Sequence, residues 1–321
     1  MRVPFLTCDV FTDTRFGGNP LAVLPDATGL SDAQMQQVAR EFNYSESTFV
    51  LPAERGYDRR VRIFTPTREV PFAGHPNVGT AFALAASGAL GEITSPRTVT
   101  FEQAAGVVPV WIEPRGELGG EQGGEPRFWC ELTAPEPFTH GEGLSVGPVA
   151  AALGLAESDI VSSTHAPVMA SVGLPFTIVE VADLEALSRA QADLTALAQL
   201  AAGGVPGDVH LYTRMAPGGP DGADDGLRRD QPAVDLRARM FAPFDGVPED
   251  PATGSANCAL VALLAATDPA RSGDFRWRIA QGVEMGRPSL LEARATTSNG
   301  HVIEVRIGGE SVLVSEGTME I

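Results

Sequence analysis

Cysteine is scarce: only Cys8, Cys130 and Cys258 occur in 321 residues. They are far apart and odd in number, so they suggest neither a disulfide framework nor a metal-ligand pattern. Reduced thiols and a cytoplasmic setting are the expectation. Long apolar runs are also missing. None approaches the roughly 20 residues a membrane-crossing helix needs, so no membrane role is expected. Positive charge is short too, with 23 Lys plus Arg against 41 Asp plus Glu and a net charge of −18. That balance disfavours nucleic acid and anionic membranes as partners, because both are polyanions. It leaves room for a small anion, provided local backbone donors build its site. The opening stretch, Met1 to Phe11, is interrupted by Asp9 and reads as a strand, not a signal peptide.

Against these absences stands a sizeable apolar fraction of 43%, enough for a packed core, in a length that suits two domains. The pattern is strand-rich. Helical spacing is clear over Leu30–Phe42, where Met35, Val38, Ala39 and Phe42 share one face and Ser31 or Asp32 supplies a cap. Two other segments, Thr80–Ala86 and Thr253–Ala266, are apolar nearly all round, which marks buried helices. Near the end, His301–Ile307 and Ser311–Ser315 alternate like strands, and Gly308-Gly309 between them reads as a hairpin turn. Helices are not regularly interleaved with the strands, which argues against Rossmann and TIM arrangements.

The chain also repeats itself. Arg62-Ile-Phe-Thr-Pro66 matches Arg239-Met-Phe-Ala-Pro243. After a two-residue length difference, His75-Pro-Asn-Val-Gly-Thr-Ala81 matches Asp250-Pro-Ala-Thr-Gly-Ser-Ala256, which sets His75 against Asp250. Gly18-Asn-Pro-Leu-Ala-Val-Leu24 is echoed by Gly173-Leu-Pro-Phe-Thr-Ile-Val179. Each long motif brings a titratable residue to the start of an apolar helix. Free N–H groups and a positive dipole end there favour anions. Gly74, Gly254 and Ser255 let the backbone approach closely, and Ser255 adds a hydroxyl. His75 and Asp250 form a candidate acid/base pair. Glu46 follows a helix and leads into an apolar strand, where partial desolvation would raise its proton affinity.

Together these residues resemble the PhzF-like isomerases of phenazine biosynthesis, which share the diaminopimelate-epimerase-like fold. The likeness rests on Gly18-Asn19-Pro20, on Glu46 within Ser45-Glu-Ser-Thr-Phe-Val50, on Arg62–Pro66, on Gly74-His75-Pro76 and on Asp250–Ala256. It implies an α+β fold of two pseudo-symmetric domains, each a mostly antiparallel barrel-like sheet around a central apolar helix, with the active site in the cleft. It implies no metal, no pyridoxal phosphate and no nicotinamide. Glu46 would move the proton. His75, Asp250 and Ser255 would position substrate or relay protons, with Asn19, Gly74, Thr253 and Gly254 binding it. Epimerase and racemase relatives use two cysteines at the paired positions; His75 and Asp250 stand there here, so a two-thiol mechanism is not expected.

The resulting expectation is a cofactor-independent isomerase acting on a small carboxylate-bearing metabolite, with a homodimer left open. Domain 1 is placed at 1–125, completed by a C-terminal strand at about 309–321, and domain 2 at 126–308. The Gly-rich segments 114–126 and 216–226 read as insertions. Two other readings are a binding protein on the same fold and a hydrolase using Ser255. The second is weak because Gly254-Ser-Ala lacks a Gly-x-Ser-x-Gly elbow.

Overall fold

The computed structural model describes residues 1–115, 127–215 and 233–321. Segment 216–226, and all of 114–126 except its first two residues, therefore lie outside the described residues. The chain divides into unit 1, Met1–Thr133 with Gly308–Ile321, and unit 2, Ala134–Ile307.

Unit 1 contains β1 (Arg2–Val10), β2 (Asn19–Leu24), α1 (Asp32–Phe42), β3 (Glu46–Leu51), β4 (Arg59–Phe64), β5 (Glu69–Val70), α2 (Gly74–Ala86), β6 (Arg97–Gln103), β7 (Gly106–Arg115) and β8 (Arg127–Thr133). The final strand of the chain, His301–Glu320, pairs with β1 and also with β8. The strands thus close a barrel in the order final strand, β1, β2, β3, β4, β6, β7, β8. The β2/β3 and β4/β6 pairs are parallel. Parallel neighbours need a crossover, and α1 and α2 supply the two crossovers. Helix α1 starts at Ser31, whose hydroxyl and the Gln34 side chain form a capping box, and stops at Asn43 in the left-handed region. Helix α2 has no polar face. It is buried from Gly74 to Ala85 and packs on β1, β2, β3, β7 and β8.

Unit 2 begins with β9 (Thr139–Gly143), α3 (Val146–Ala152), β10 (Val168–Ser171) and β11 (Pro175–Glu180). It continues with α4 (Leu184–Arg189), α5 (Leu194–Ala202), β12 (Val209–Arg214), β13 (Leu236–Ala242), β14 (Val247–Asp250), α6 (Gly254–Thr267), β15 (Gly273–Gln281) and β16 (Ser289–Ser298). Its pairings repeat those of unit 1. The β10/β11, β12/β13 and β15/β16 pairs are antiparallel and β11/β12 and β13/β15 parallel. Helices α4 and α5 take the place of α1, each capped by an aspartate, Asp183 or Asp193. Helix α6 takes the place of α2 and is buried from Gly254 to Ala265.

One expectation is overturned. Gly308-Gly309 is no turn: His301–Glu320 is a single continuous strand, and neither glycine has positive φ. The hairpin turn lies earlier, at Asn299-Gly300, with φ of 52° and 81°, the geometry an Asn-Gly pair favours. Gly308 is small for another reason. A Cβ there would stand 2.8 Å from the Cys130 carbonyl oxygen and 2.9 Å from the Glu131 Cβ. It lets two backbones approach where β8 meets the final strand. All three cysteines are buried, and none forms a disulfide. No helix among the described residues is long and apolar enough to cross a membrane.

Candidate active site

In unit 1, three of the expected residues converge at the ends of three elements. Asn19 opens β2, Glu46 opens β3 beside Leu21 of β2, and His75 is the second residue of α2, immediately after Gly74. The Asn19 amide lies 3.2 Å from His75 Nδ1. An NH2 group can only donate, so Nδ1 accepts and the imidazole proton sits on Nε2. Ser45 holds the amide in this orientation by donating to Asn19 Oδ1 at 3.4 Å. Burial lowers the His75 pKa to about 3, so the ring is neutral. Nε2 is buried and has no hydrogen-bond partner. Glu46 Oε2 stands 3.7 Å from Nδ1, and its side chain keeps 18% of its exposure. With Nδ1 unprotonated, that contact is no ion pair. The unit presents a partly exposed carboxyl group and a buried N–H donor that lacks an acceptor. Ala73 cannot cap α2 with its side chain, so the first-turn N–H groups lack a side-chain acceptor from the cap.

In unit 2, Asp250 ends β14, Thr253 is the N-cap of α6, and Gly254 and Ser255 begin the helix. The Thr253 hydroxyl turns away from its own helix and donates to Asp250 Oδ2 at 2.6 Å. It therefore makes no cap bond, and the α6 N-terminus keeps its anion-favouring character. Gln281, the last residue of β15, ties the junction together. Its NH2 donates to the Asp250 carbonyl at 2.8 Å and to Thr253 Oγ1 at 3.0 Å, and its oxygen accepts from Thr253 N–H at 3.1 Å. Asn257 donates to the same Gln281 oxygen at 2.8 Å and accepts from His210 Nε2, 3.1 Å away. His210 is fully buried, and burial lowers its pKa to about 4.

The expected pairing of His75 with Asp250 is corrected by the strand registers. Ile63 of β4 faces Val70, whereas Met240 of β13 faces Asp250. Arg62 grips Glu69 with two hydrogen bonds of 2.7 and 2.6 Å, and Arg239 grips Glu249 with two of 2.8 and 2.9 Å. Each guanidinium also lies over the ring two residues on, Phe64 at 5.1 Å and Phe241 at 4.9 Å. One turn later, Asn77 donates to the Ala73 carbonyl and Asn257 to the Thr253 carbonyl, each at 2.9 Å. Asn77 bonds Gln103, which ends β6 as Gln281 ends β15. Glu69 thus corresponds to Glu249, Val70 to Asp250, Gly74 to Gly254 and His75 to Ser255. The Arg–Glu spacing is 7 residues in unit 1 and 10 in unit 2. The turn after β13 is longer by that difference. The small residues Gly79-Thr-Ala81, five residues too far along α2, supplied a false match. Cys258 corresponds to Val78 and is buried, a packing position.

Sequence reading missed Asn77, Gln103, His210, Asn257 and Gln281. The two asparagines and two glutamines were within reach, because they recur at matching places in both halves; His210 carried no such signal, since Thr48 occupies its position.

Two barrel-like units built on one plan, each around a buried apolar helix whose N-terminus carries the polar residues, define the epimerase-like class of α+β proteins. The profile of the phenazine biosynthesis-like proteins matches residues 8–317, and the chain belongs to that family. The trans-2,3-dihydro-3-hydroxyanthranilate isomerase of Pseudomonas fluorescens is 35% identical, over 98% of each chain. A Bacillus anthracis phenazine biosynthesis protein of the PhzF family superposes with a TM-score of 0.82 at 25% identity, covering 100% of both chains. A hydroxyproline epimerase from Agrobacterium vitis shares the fold alone, with a TM-score of 0.59 at 15% identity over 99% of this chain and 91% of its own. The chain is an isomerase, and its substrate is a small molecule.

Proposed function

We propose that this isomerase shifts a proton between carbons of a small carboxylate-bearing metabolite, without a cofactor, and that the unit 1 and unit 2 residues serve one substrate, as the family resemblance implies. Glu46 takes the proton from carbon, the C–H electrons enter the π system, and a proton is delivered to a second carbon. The substrate neither gains nor loses a proton overall. His75 donates its Nε2–H to an oxygen that gains charge in the transition state. The α6 first turn, through Gly254 and the Ser255 hydroxyl, holds the carboxylate. Asp250 and Thr253 orient an amine or hydroxyl, and Gly74 and Asn19 complete the binding surface. The related Pseudomonas enzyme is named for a substrate with just these groups. The chain contains no lysine, all 23 of its Lys plus Arg being arginine, so it offers no lysine amine to anchor pyridoxal phosphate.

The observation that carries this reading is the Glu46 carboxyl 3.7 Å from a neutral His75 ring whose second nitrogen is a buried donor without a partner. The test is solvent exchange. In D2O, the wild type should place deuterium on a carbon of trans-2,3-dihydro-3-hydroxyanthranilate or of a member of a panel of cyclic and amino-acid carboxylates. Glu46→Gln should slow that exchange by about 10²–10⁴. Undiminished exchange in the variant refutes the role of Glu46.

A further inference from the structure

Unit 2 contains a counterpart to Glu46. Register identifies it. Ser47 of β3 faces Phe64 of β4, and Val209 of β12 faces Phe241 of β13. Phe64 and Phe241 are the corresponding rings under the two arginines. Ser47 therefore corresponds to Val209, and Glu46 to Asp208. The parallel partners agree: Ala22 faces Ser47 and Thr177 faces Val209, which reproduces the Gly18–Leu24 and Gly173–Val179 repeat.

Side-chain direction follows from strand alternation. In β3, Thr48 meets Thr80 of α2 at 2.8 Å, and Glu46, two residues earlier, meets His75 of the same helix. In β12, His210 meets Asn257 of α6. Asp208 lies two residues before His210, and its carbonyl accepts the Thr177 N–H at 2.9 Å, so the ladder already holds the chain extended there. Asp208 thus points to the α6 side of the sheet, toward the end of the helix where Ser255 corresponds to His75. It is partly buried. The Phe244 ring packs against Gly207, so closely that a Cβ there would stand 2.7 Å from it. Glutamate at one position and aspartate at its counterpart preserve a carboxyl group while nearby positions diverge.

We propose that Asp208 is a second acid/base residue of this enzyme; this rests on the reading that both units serve one substrate. One carboxylate accepts the proton from carbon as the C–H electrons enter the π system. The other, protonated, donates to the carbon that forms the new C–H bond. The substrate loses one proton and gains one. The two carboxyl groups finish with protonation states exchanged and reset through water.

The test compares wild type, Asp208→Asn and Asp208→Glu on trans-2,3-dihydro-3-hydroxyanthranilate and on the carboxylate panel, with thermal unfolding of each. Asp208→Asn should lower kcat at least 100-fold with KM within about threefold, and should remove one limb of the kcat/KM pH profile. Asp208→Glu should restore kcat to at least a tenth of wild type. Wild-type kcat and pH profile in Asp208→Asn would overturn the proposal while leaving the role of Glu46 standing. Should Asp208→Asn fail to fold, Asp208→Glu decides alone: an unchanged pH profile makes Asp208 structural and overturns the proposal, whereas a shifted limb supports it. Absence of turnover and exchange in wild type across the whole panel overturns both readings.

Discussion

His75 and His210 are neutral because each imidazole lies out of water without a charged partner that compensates its burial. Burial lowers their pKa values from 6.5 to about 3 and about 4. In the unfolded chain both regain a value near 6.5. Below that pH the unfolded state binds protons that the folded state does not, so stability falls as pH drops from about 6.5 toward the folded values. The slope is about 1.4 kcal/mol per pH unit for each ring. Denaturant unfolding between pH 7 and pH 5 should show the loss, and His210→Gln should remove about one such slope relative to wild type. The same neutrality makes a bond donor of His75, and no limb of the pH–rate profile above about pH 5 should disappear in a His75→Gln variant. Glu46, His75 and Ser255 stand at the strand and helix starts that the sequence suggests, and Asp250 ends β14 just before α6. The Asn19 contact that selects the His75 tautomer was not legible in the sequence, since it depends on β2 and α2 meeting across 56 residues.

At the scale of elements, the glycines show how one residue type can carry opposite meanings. Gly300 serves a turn through positive φ, and Gly308 serves a close contact through its missing side chain. Composition alone does not separate the two cases, so Gly308-Gly309 read as the hairpin and Asn299-Gly300 went unmarked. Gly308→Ala should push Cβ into the Cys130 carbonyl and Glu131, and should cost about 1–3 kcal/mol, measured as a lower denaturant midpoint. The apolar helices α2 and α6 were readable because residues apolar on every side can only be buried. The motif alignment slipped because small residues recur along α2 at helical spacing. Only the Arg–Glu clamps and the strand registers distinguish the correct match from one displaced along the helix.

For the whole molecule, the duplicated plan explains why the polar residues of both units gather at helix N-termini. Each unit crosses twice between parallel strands, and the second crossover must pass through the barrel as its core. The barrel of unit 1 is completed by the far end of the chain, residues 311–320 pairing along β1. A chain ending at Ile307 would leave β1 and β8 without that partner. Such a truncation should abolish slow hydrogen exchange in β1–β8, and a synthetic peptide of residues 308–321 should restore it in part. Protection that survives the truncation would show that the barrel does not need its closing strand.

The sequence by itself determined that the chain is rich in strands, which helices must be buried, that the chain is duplicated, and which residue types stand at the helix starts. Those are consequences of local periodicity and of free N–H groups at helix ends, and both are written in neighbouring residues. Tertiary structure alone decided that His75 corresponds to Ser255 and not to Asp250, that Glu46 has a counterpart in Asp208, and that Gly308 joins two strands where it was expected to reverse one. Each of these depends on hydrogen-bond register between segments distant in the chain. A shift of a few residues leaves local patterns almost unchanged, yet it reassigns every contact across the sheet.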